Sequence, residues 1–302
     1  MDTSANTRNF RSGMVAIVGP PNAGKSTLMN RLLGQKISIV TPKAQTTRNR
    51  ILGVVNGEGY QMVLVDTPGL HTPDQPLNRE LVRIALESLA EVDVILFLLD
   101  ASLLVKDKEG KEESLRGYLD RQSAPAFLVL NKIDRIDRQR LLPLIEKYTK
   151  VFPFEGIVPI SAKSAENLPV LVDEILKVLP EGPPYFSEDI PTDASERFLV
   201  GEIIREKVFL LTGQEIPYST AVVVDSFVEE TDRITIHASI VLEKSSQKGI
   251  IIGKGGRKLK SIGIAARRDI EKLVGQKVVL KLWVKIKKNW THNSSFLKEL
   301  GL

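Results

Sequence analysis

The stretch Gly19-Pro20-Pro21-Asn22-Ala23-Gly24-Lys25-Ser26 constrains the fold more than any other part of this chain. It follows the apolar run 15–18 and opens a helix-like pattern over 25–33. A Gly-x4-Gly-Lys-Ser loop between a strand and a helix is a phosphate cradle. Its glycines let the backbone close around phosphate oxygens, and its N–H groups and the helix N-terminus supply partial positive charge. Lys25 is expected to reach the β- and γ-phosphates and Ser26 to ligate Mg²⁺, with Thr27 beside them in the nucleotide-binding set.

The surrounding pattern agrees with such a loop. Apolar runs at 15–18, 62–65, 94–99, 127–130 and 157–160 read as buried strands. Helix-like patterns lie between or after them at 25–33, 77–90, 108–119, 138–150 and 168–179. This alternation predicts an α/β, doubly wound, mostly parallel sheet with helices on both faces. Ligands in such folds bind outside the carboxyl ends of the strands.

Three more motifs fall at those ends. Asp66-Thr67-Pro68-Gly69 closes the second run; its carboxylate is placed to hold the Mg²⁺ shell, and Gly69 to offer an N–H to a γ-phosphate. Asn131-Lys132-Ile133-Asp134 follows the fourth run. A carboxylate at Asp134 accepts both N–H groups of the guanine Watson–Crick edge, a donor pair that adenine lacks. Asn131 is read as tying loops together, and the stem of Lys132 as covering the base. Ser161-Ala162-Lys163 follows the fifth run and can bring a backbone N–H to guanine O6. Four motifs in this order select GTP over ATP.

Between the first helix and the next strand lies 38–50, containing Gln45-Thr46-Thr47-Arg48. One of the two threonines is expected to complete Mg²⁺ coordination when a γ-phosphate is present, so that order in this loop reports the nucleotide state. Spacing does not separate them, and Thr46 is favoured. Thr46 and Gly69 are the switch groups. No catalytic residue is assigned: the place after Asp-x-x-Gly where many GTPases carry a water-orienting glutamine holds Leu70, followed by His71. Gln61 precedes the strand and is not that glutamine. Slow intrinsic hydrolysis, stimulated by a partner, is the expectation.

Glu181-Gly-Pro-Pro-Tyr185 and Pro191 mark a linker over 181–195. This divides the chain into a nucleotide domain (1–180) and a second domain (196–302). The second domain reads as a helix at 196–211, strands at 221–228 and 233–241, a short basic helix, a Gly-rich loop, a helix at 257–274, a strand at 277–285 and a tail helix from Asn293. Charge is uneven along the chain. The overall formal charge is +5, but 244–288 holds fourteen Lys and Arg against Asp269 and Glu271, a local +12. Such an excess attracts polyanions.

Gly253-Lys254-Gly255-Gly256 sits inside this basic stretch. A Gly-x-x-Gly loop joining two helices clamps the backbone of about four single-stranded nucleotides, with bases in an adjacent apolar groove. Arg257, Lys258, Lys260, Arg267 and Arg268 add phosphate contacts. Trp283 is expected in the core and Trp290 against the tail.

There is no cysteine, which excludes disulfides and thiolate chemistry, and His71, His237 and His292 have no metal-ligand spacing. No apolar run is long enough to span a bilayer. A cytoplasmic protein with no obligate dimer is expected.

Over nearly its whole length the chain resembles the Era family of bacterial GTPases. The match is carried by Gly19–Thr27, Gln45–Asn49, Asp66–Gly69, Asn131–Asp134, Ser161–Lys163 and Gly253–Gly256, and by the hydrophobic Leu70. The resemblance implies a Ras-like GTPase domain followed by a type II KH domain, with GTP/GDP and Mg²⁺ as cofactors. It implies binding near the 3′ end of 16S ribosomal RNA, a role in maturing the 30S subunit, and peripheral membrane contact in some members. Two other readings use the same residues: an RNA-binding assembly placeholder whose nucleotide is only structural, and a membrane-surface GTPase that sets its basic face on anionic lipid.

Overall fold

The computed structural model describes residues 10–43, 46–70, 76–105, 117, 120, 123–213 and 216–301. The chain divides into two compact units: one built from 1–38, 47–73 and 81–193, the other from 39–46, 74–80 and 194–302.

The first unit is a mixed sheet in the order β2-β3-β1-β4-β5-β6. Its strands are β1 (Arg11–Val18), β2 (Ile51–Gly57), β3 (Tyr60–Asp66), β4 (Val94–Asp100), β5 (Ala126–Asn131) and β6 (Gly156–Pro159). Every pair is parallel except β2–β3, which is antiparallel. All seven residues of β4 are buried, as a central parallel strand covered on both faces demands. Strand β1 lies between β3 and β4, so the strand order reverses there and opens a crevice at its carboxyl end. The helices of this part of the chain are α1 (Lys25–Leu33), α2 (Pro76–Glu87), α3 (Ala101–Leu104), α4 (Leu141–Thr149) and α5 (Leu168–Val178).

Sequence reading missed β2, which extends the sheet on its antiparallel edge. It also missed the single helical turn α3. The helix expected over 108–119 falls mostly outside the described residues. Residues 180–192 run along this unit rather than away from it. Ser12 N–H donates to Pro180 O (3.0 Å), Val54 N–H to Pro191 O (2.9 Å) and Thr192 Oγ1 to Leu52 O (2.6 Å).

The second unit is a three-stranded sheet in the order β7-β8-β9 (Thr220–Glu229, Arg233–Leu242, Lys277–Ile286). The β7–β8 pair is antiparallel with a bulge at Val224/Ser226, and β8–β9 is parallel. Helices α6 (Glu196–Leu211), α7 (Ser245–Ile252), α8 (Arg257–Val274) and α9 (Ser294–Glu299) complete it, giving α-β-β-α-α-β before the tail. Alternate residues of β8, from Ile234 to Leu242, point into the core and meet Ile262, Ala266 and Ile270, one face of α8 at a spacing of four. Trp290 is fully buried, donates from Nε1 to Ser219 O (3.0 Å) and packs edge-on to Phe296, anchoring the tail. Trp283 is not in the core: it is 45% exposed.

Candidate nucleotide site and nucleic-acid groove

The crevice beside β1 gathers the four motifs of the first unit. Gly24 caps α1 with φ 105°, and a Cβ there would stand 2.2 Å from Asn131 Nδ2. The cradle thus needs glycine both for its turn and for the approach of the base-side loop. Lys25 is buried and donates from Nζ to Gly19 O and Pro20 O, each at 3.0 Å. Burial pulls its ammonium down to about 8, and the charge of Asp66 only partly opposes that. To hold a phosphate, Lys25 exchanges two carbonyl acceptors for phosphate oxygens.

Asp66, fully buried at the end of β3, draws three hydroxyls onto one carboxylate oxygen. Oδ2 accepts from Ser26 Oγ (2.8 Å), Ser38 Oγ (2.9 Å) and Thr47 Oγ1 (3.2 Å). Oδ1 is buried with no hydrogen-bond partner. Burial raises the carboxyl above its usual range, while Lys25 and the three hydroxyls pull the other way. A hard divalent cation fits this donor set. An orphaned buried carboxylate oxygen and two hydroxyls 3.0 Å apart, Ser26 and Thr47, offer oxygen ligands, and substrate phosphates supply the rest in Mg²⁺ sites of this kind. Among the described residues no cluster of three His, Cys, Asp or Glu competes for such an ion.

The threonine at this centre is Thr47. Thr46 was the favoured reading, but it is Thr47 that the structure brings to Asp66. Thr46 Oγ1 bonds Thr41 Oγ1 and Lys43 O, both at 2.7 Å, and its carbonyl accepts from Arg205, all within the second unit. Thr67 Oγ1 donates to Ile17 O (2.9 Å), and Leu70 N–H to Gly19 O (3.1 Å), which ties the turn after β3 back to the cradle. Pro68 and Gly69 are buried in this turn, and Leu70 packs against the core beside β4. His71 lies outside the described residues.

The base side is held by a different set. Asn131 Nδ2 donates to Ala23 O (2.8 Å), and its Oδ1 accepts from Lys132 N–H (2.8 Å) and Ala162 N–H (2.9 Å). Lys132 has φ 65° and sends Nζ to Asn22 O (2.6 Å) and Asp100 Oδ2 (2.7 Å). Asp100 is a site residue that sequence reading took only as the end of an apolar strand. Burial would raise its carboxyl, but the hydrogen bonds from Lys132 and Ser102 more than offset this and hold it below the usual range. Asp134 is exposed, with Oδ1 oriented by Ser161 Oγ (2.7 Å). Arg31, on α1, donates to Lys163 O (2.7 Å) and braces the same loop.

In the second unit Gly253, Gly255 and Gly256 all take positive φ (70°, 60° and 74°), turning α7 into α8. A Cβ at Gly253 would meet Lys258 Cβ at 2.7 Å. Lys254, Arg257, Lys258, Lys260, Arg267 and Arg268 are exposed around this turn and along α8. Beside it lies an open groove of about 420 Å³. Gly256, Lys260 and Arg267 line it, together with Leu259, Gly263, Ile264, Leu280 and Leu282, which sequence reading had not named. Both acids of α8 are occupied internally. Asp269 pairs with Lys207, and Glu271 accepts from Val278 N–H (3.2 Å).

Known proteins resolve what these two sites belong to. A family described as 50S ribosome-binding GTPase matches residues 14–132, and one described as KH domain matches 215–291. GTPase Era of Geotalea uraniireducens (strain Rf4) is 51% identical over 295 residues, covering 97% of this chain and 98% of that protein. This chain belongs to the Era family of GTPases. Two solved Era structures share 42% identity with it at a TM-score of 0.92, each covering 97% of this chain and 99% of theirs. One is a single-site variant of Aquifex aeolicus Era bound to GDP and AlF4⁻. The other is Era in complex with MgGDPNP and nucleotides 1506–1542 of 16S ribosomal RNA.

Proposed function

We propose that this Era GTPase is a GTP-driven switch that binds 16S ribosomal RNA near its 3′ end and assists 30S subunit biogenesis, with its GTP state coupled to RNA binding. The observation that carries the reading is the convergence of cradle, carboxylate and base-side motifs in one crevice, on a chain that also carries a glycine turn beside an apolar groove with a basic margin. The complex of its relative with MgGDPNP and 16S ribosomal RNA supports it.

In this reading Lys25 and the N–H groups of Gly19, Asn22–Gly24 and Thr27 receive the phosphates, Pro20 and Pro21 contributing shape rather than donors. Asp134 accepts from the guanine edge, and Asn131 and Ser161 hold its loop. Ser26, Thr47 and Asp66 hold Mg²⁺, which when bound neutralises charge on the phosphate oxygens. Leu70 cannot orient water, so intrinsic hydrolysis is slow and RNA or the 30S particle accelerates it. The Gly253–Gly256 turn clamps single-stranded RNA backbone, bases enter the 420 Å³ groove, and the exposed cations along α8 add salt-sensitive phosphate contacts. The protein acts as a cytoplasmic monomer in this reading.

In-cell crosslinking with sequencing of the bound RNA tests it, comparing the natural chain with the Lys254→Asp, Gly255→Asp double variant. A sharp peak at the 3′ end of 16S ribosomal RNA, lost in the variant, is expected. A diffuse signal that is equal in both proteins refutes the RNA reading and leaves the GTPase reading standing.

A further inference from the structure

The metal centre contains one hydroxyl that the nucleotide motifs do not include. Ser38 is fully buried, and its Oγ donates to Asp66 Oδ2 at 2.9 Å. Its only other hydroxyl contact among the described residues is Met29 Sδ at 3.6 Å, a far weaker acceptor than a carboxylate. The backbone around Ser38 is clamped by one side chain. Asn30 Oδ1 accepts from Ile37 N–H and Ser38 N–H, both at 2.9 Å, and Asn30 Nδ2 donates to Ser38 O at 2.7 Å. Asn30 lies four residues after Ser26 on α1, so both project from the same face of the helix. One rigid helix therefore carries the cradle serine and, through Asn30, the serine that grips Asp66.

We propose that Ser38 is a positioning residue of the divalent-cation site, fixing the Asp66 carboxylate so that Oδ1 faces the ion. The proposal rests on reading Ser26, Thr47 and Asp66 as that site. Ser26 and Thr47 would be ligands as well as donors to Asp66, since each hydroxyl oxygen keeps lone pairs for an ion while donating its proton. Ser38 is only a donor, buried, clamped and committed to Oδ2. With Ser26 and Thr47 it restrains the Asp66 carboxylate through Oδ2, and Oδ1, which has no hydrogen-bond partner, would be available to a cation. Groups that orient a metal-binding residue in this way change metal affinity by about 10- to 100-fold when removed.

The test uses the full-length protein loaded with a fluorescent GDP analogue, with release measured across a buffered Mg²⁺ series. Ser38→Ala is expected to raise the Mg²⁺ concentration that half-suppresses release by about tenfold. The isosteric Ser38→Cys, a weaker donor, is expected to raise it less, and Asn30→Ala, which frees the clamp, to shift it in the same direction. Release in EDTA stays within about twofold of the natural protein, because the bond acts through the ion. Mn²⁺ binding followed by electron paramagnetic resonance should show the same order of variants. A midpoint unchanged in Ser38→Ala overturns the proposal. So does faster release by one factor at every Mg²⁺ concentration, which marks a merely structural role. If Ser38→Ala does not fold, Ser38→Cys carries the same comparison. Release from the natural protein that ignores Mg²⁺ altogether refutes the underlying site, and that outcome is distinguishable from failure of Ser38 alone.

Discussion

Gln61 offers the sharpest quantitative test of how the segment after the nucleotide domain is held. Its side chain is fully buried. Oε1 accepts from Tyr185 N–H (2.7 Å) and Phe186 N–H (2.9 Å), and Nε2 donates to Phe186 O (2.8 Å) and Asn56 Oδ1 (2.8 Å). Gln61→Ala leaves two backbone donors and one backbone acceptor of this segment without partners. Each such group costs about 1–3 kcal/mol when buried, and these are only part-buried, so the low end applies: about 3 kcal/mol for the three. At one decade per 1.4 kcal/mol, local opening becomes about a hundred times more frequent. Hydrogen exchange read by mass spectrometry on peptides covering 181–192 measures this directly. The effect should centre on 185–186. The flanks keep their own bonds, from Gly182 N–H to Phe10 O (3.0 Å) upstream and from Val54 N–H to Pro191 O (2.9 Å) downstream. Exchange at 185–186 within threefold of the natural protein would refute the reasoning. So would a uniform acceleration from 181 to 192, which would mean that Gln61 holds no particular residue.

The remaining predictions concern the two sites and one surface pair. Asp134→Asn replaces an acceptor with a partial donor opposite the guanine N–H pair; affinity for GDP should fall by at least tenfold while xanthosine diphosphate gains, and unchanged preference in competition binding would contradict the base-side assignment. Gly253→Ala drives a Cβ to within 2.7 Å of Lys258 Cβ at φ 70°, and should weaken single-stranded RNA binding in a filter assay while leaving GDP affinity unchanged. For Asp225, burial raises the carboxyl, but the Ser239 hydroxyl and then Lys285 lower it more, so its folded value lies below the usual one. The stability it adds is therefore present above the ordinary carboxylate range and lost as pH falls through that lower value. Denaturation of Asp225→Asn should differ from the natural protein at pH 6 and converge with it at pH 2–3; a constant difference across that range would contradict the pairing.

Motifs with fixed spacing were readable in the sequence, and contacts made by isolated residues were not. Residues 25–33 and 257–274 are helices to the residue, because each starts after glycine and carries a clear apolar face. Strand β2 escaped because Gly53 and Asn56-Gly57 break the run Ile51–Gly57 and it follows directly on a polar loop. Gly53 is there for packing: a Cβ would sit 2.5 Å from Met29 Cε. Ser38 and Asp100 carried no signal, since a lone serine in a loop and an acid at the end of a strand are ordinary. Trp283 is different, because its signal was present. In β9 the exposed positions Lys277, Val279, Lys281, Trp283 and Lys285 alternate with the more covered Val278, Leu280, Leu282 and Val284, so period two places the tryptophan on the solvent face.

The hydrogen bonds divide the nucleotide site into a part ready to act and a part that must exchange partners. On the base side, Asn131 bonds Ala23 O, Lys132 N–H and Ala162 N–H, and Ser161 Oγ donates to Asp134 Oδ1, so these bonds hold the loops that carry the proposed base contacts. On the phosphate side, Lys25 is bonded to its own loop, and Ser26, Ser38 and Thr47 converge on Asp66. Lys25 can take a phosphate only by giving up its two carbonyl acceptors, whereas a cation would meet Asp66 Oδ1, which has no hydrogen-bond partner to displace. A ligand shifts a conformational equilibrium only through differential affinity for the two arrangements, so selection of guanine and response to the γ-phosphate fall on different residues. Base contacts fix which nucleotide binds and are the same for GTP and GDP. In the proposed reading Lys25 changes partners for the β-phosphate of either nucleotide, and Thr47 is the residue expected to respond to the γ-phosphate. Thr47 belongs to the first unit and Thr46 to the second. The boundary between the two units therefore falls between these adjacent threonines, as it also does between Ser38 and Ile39.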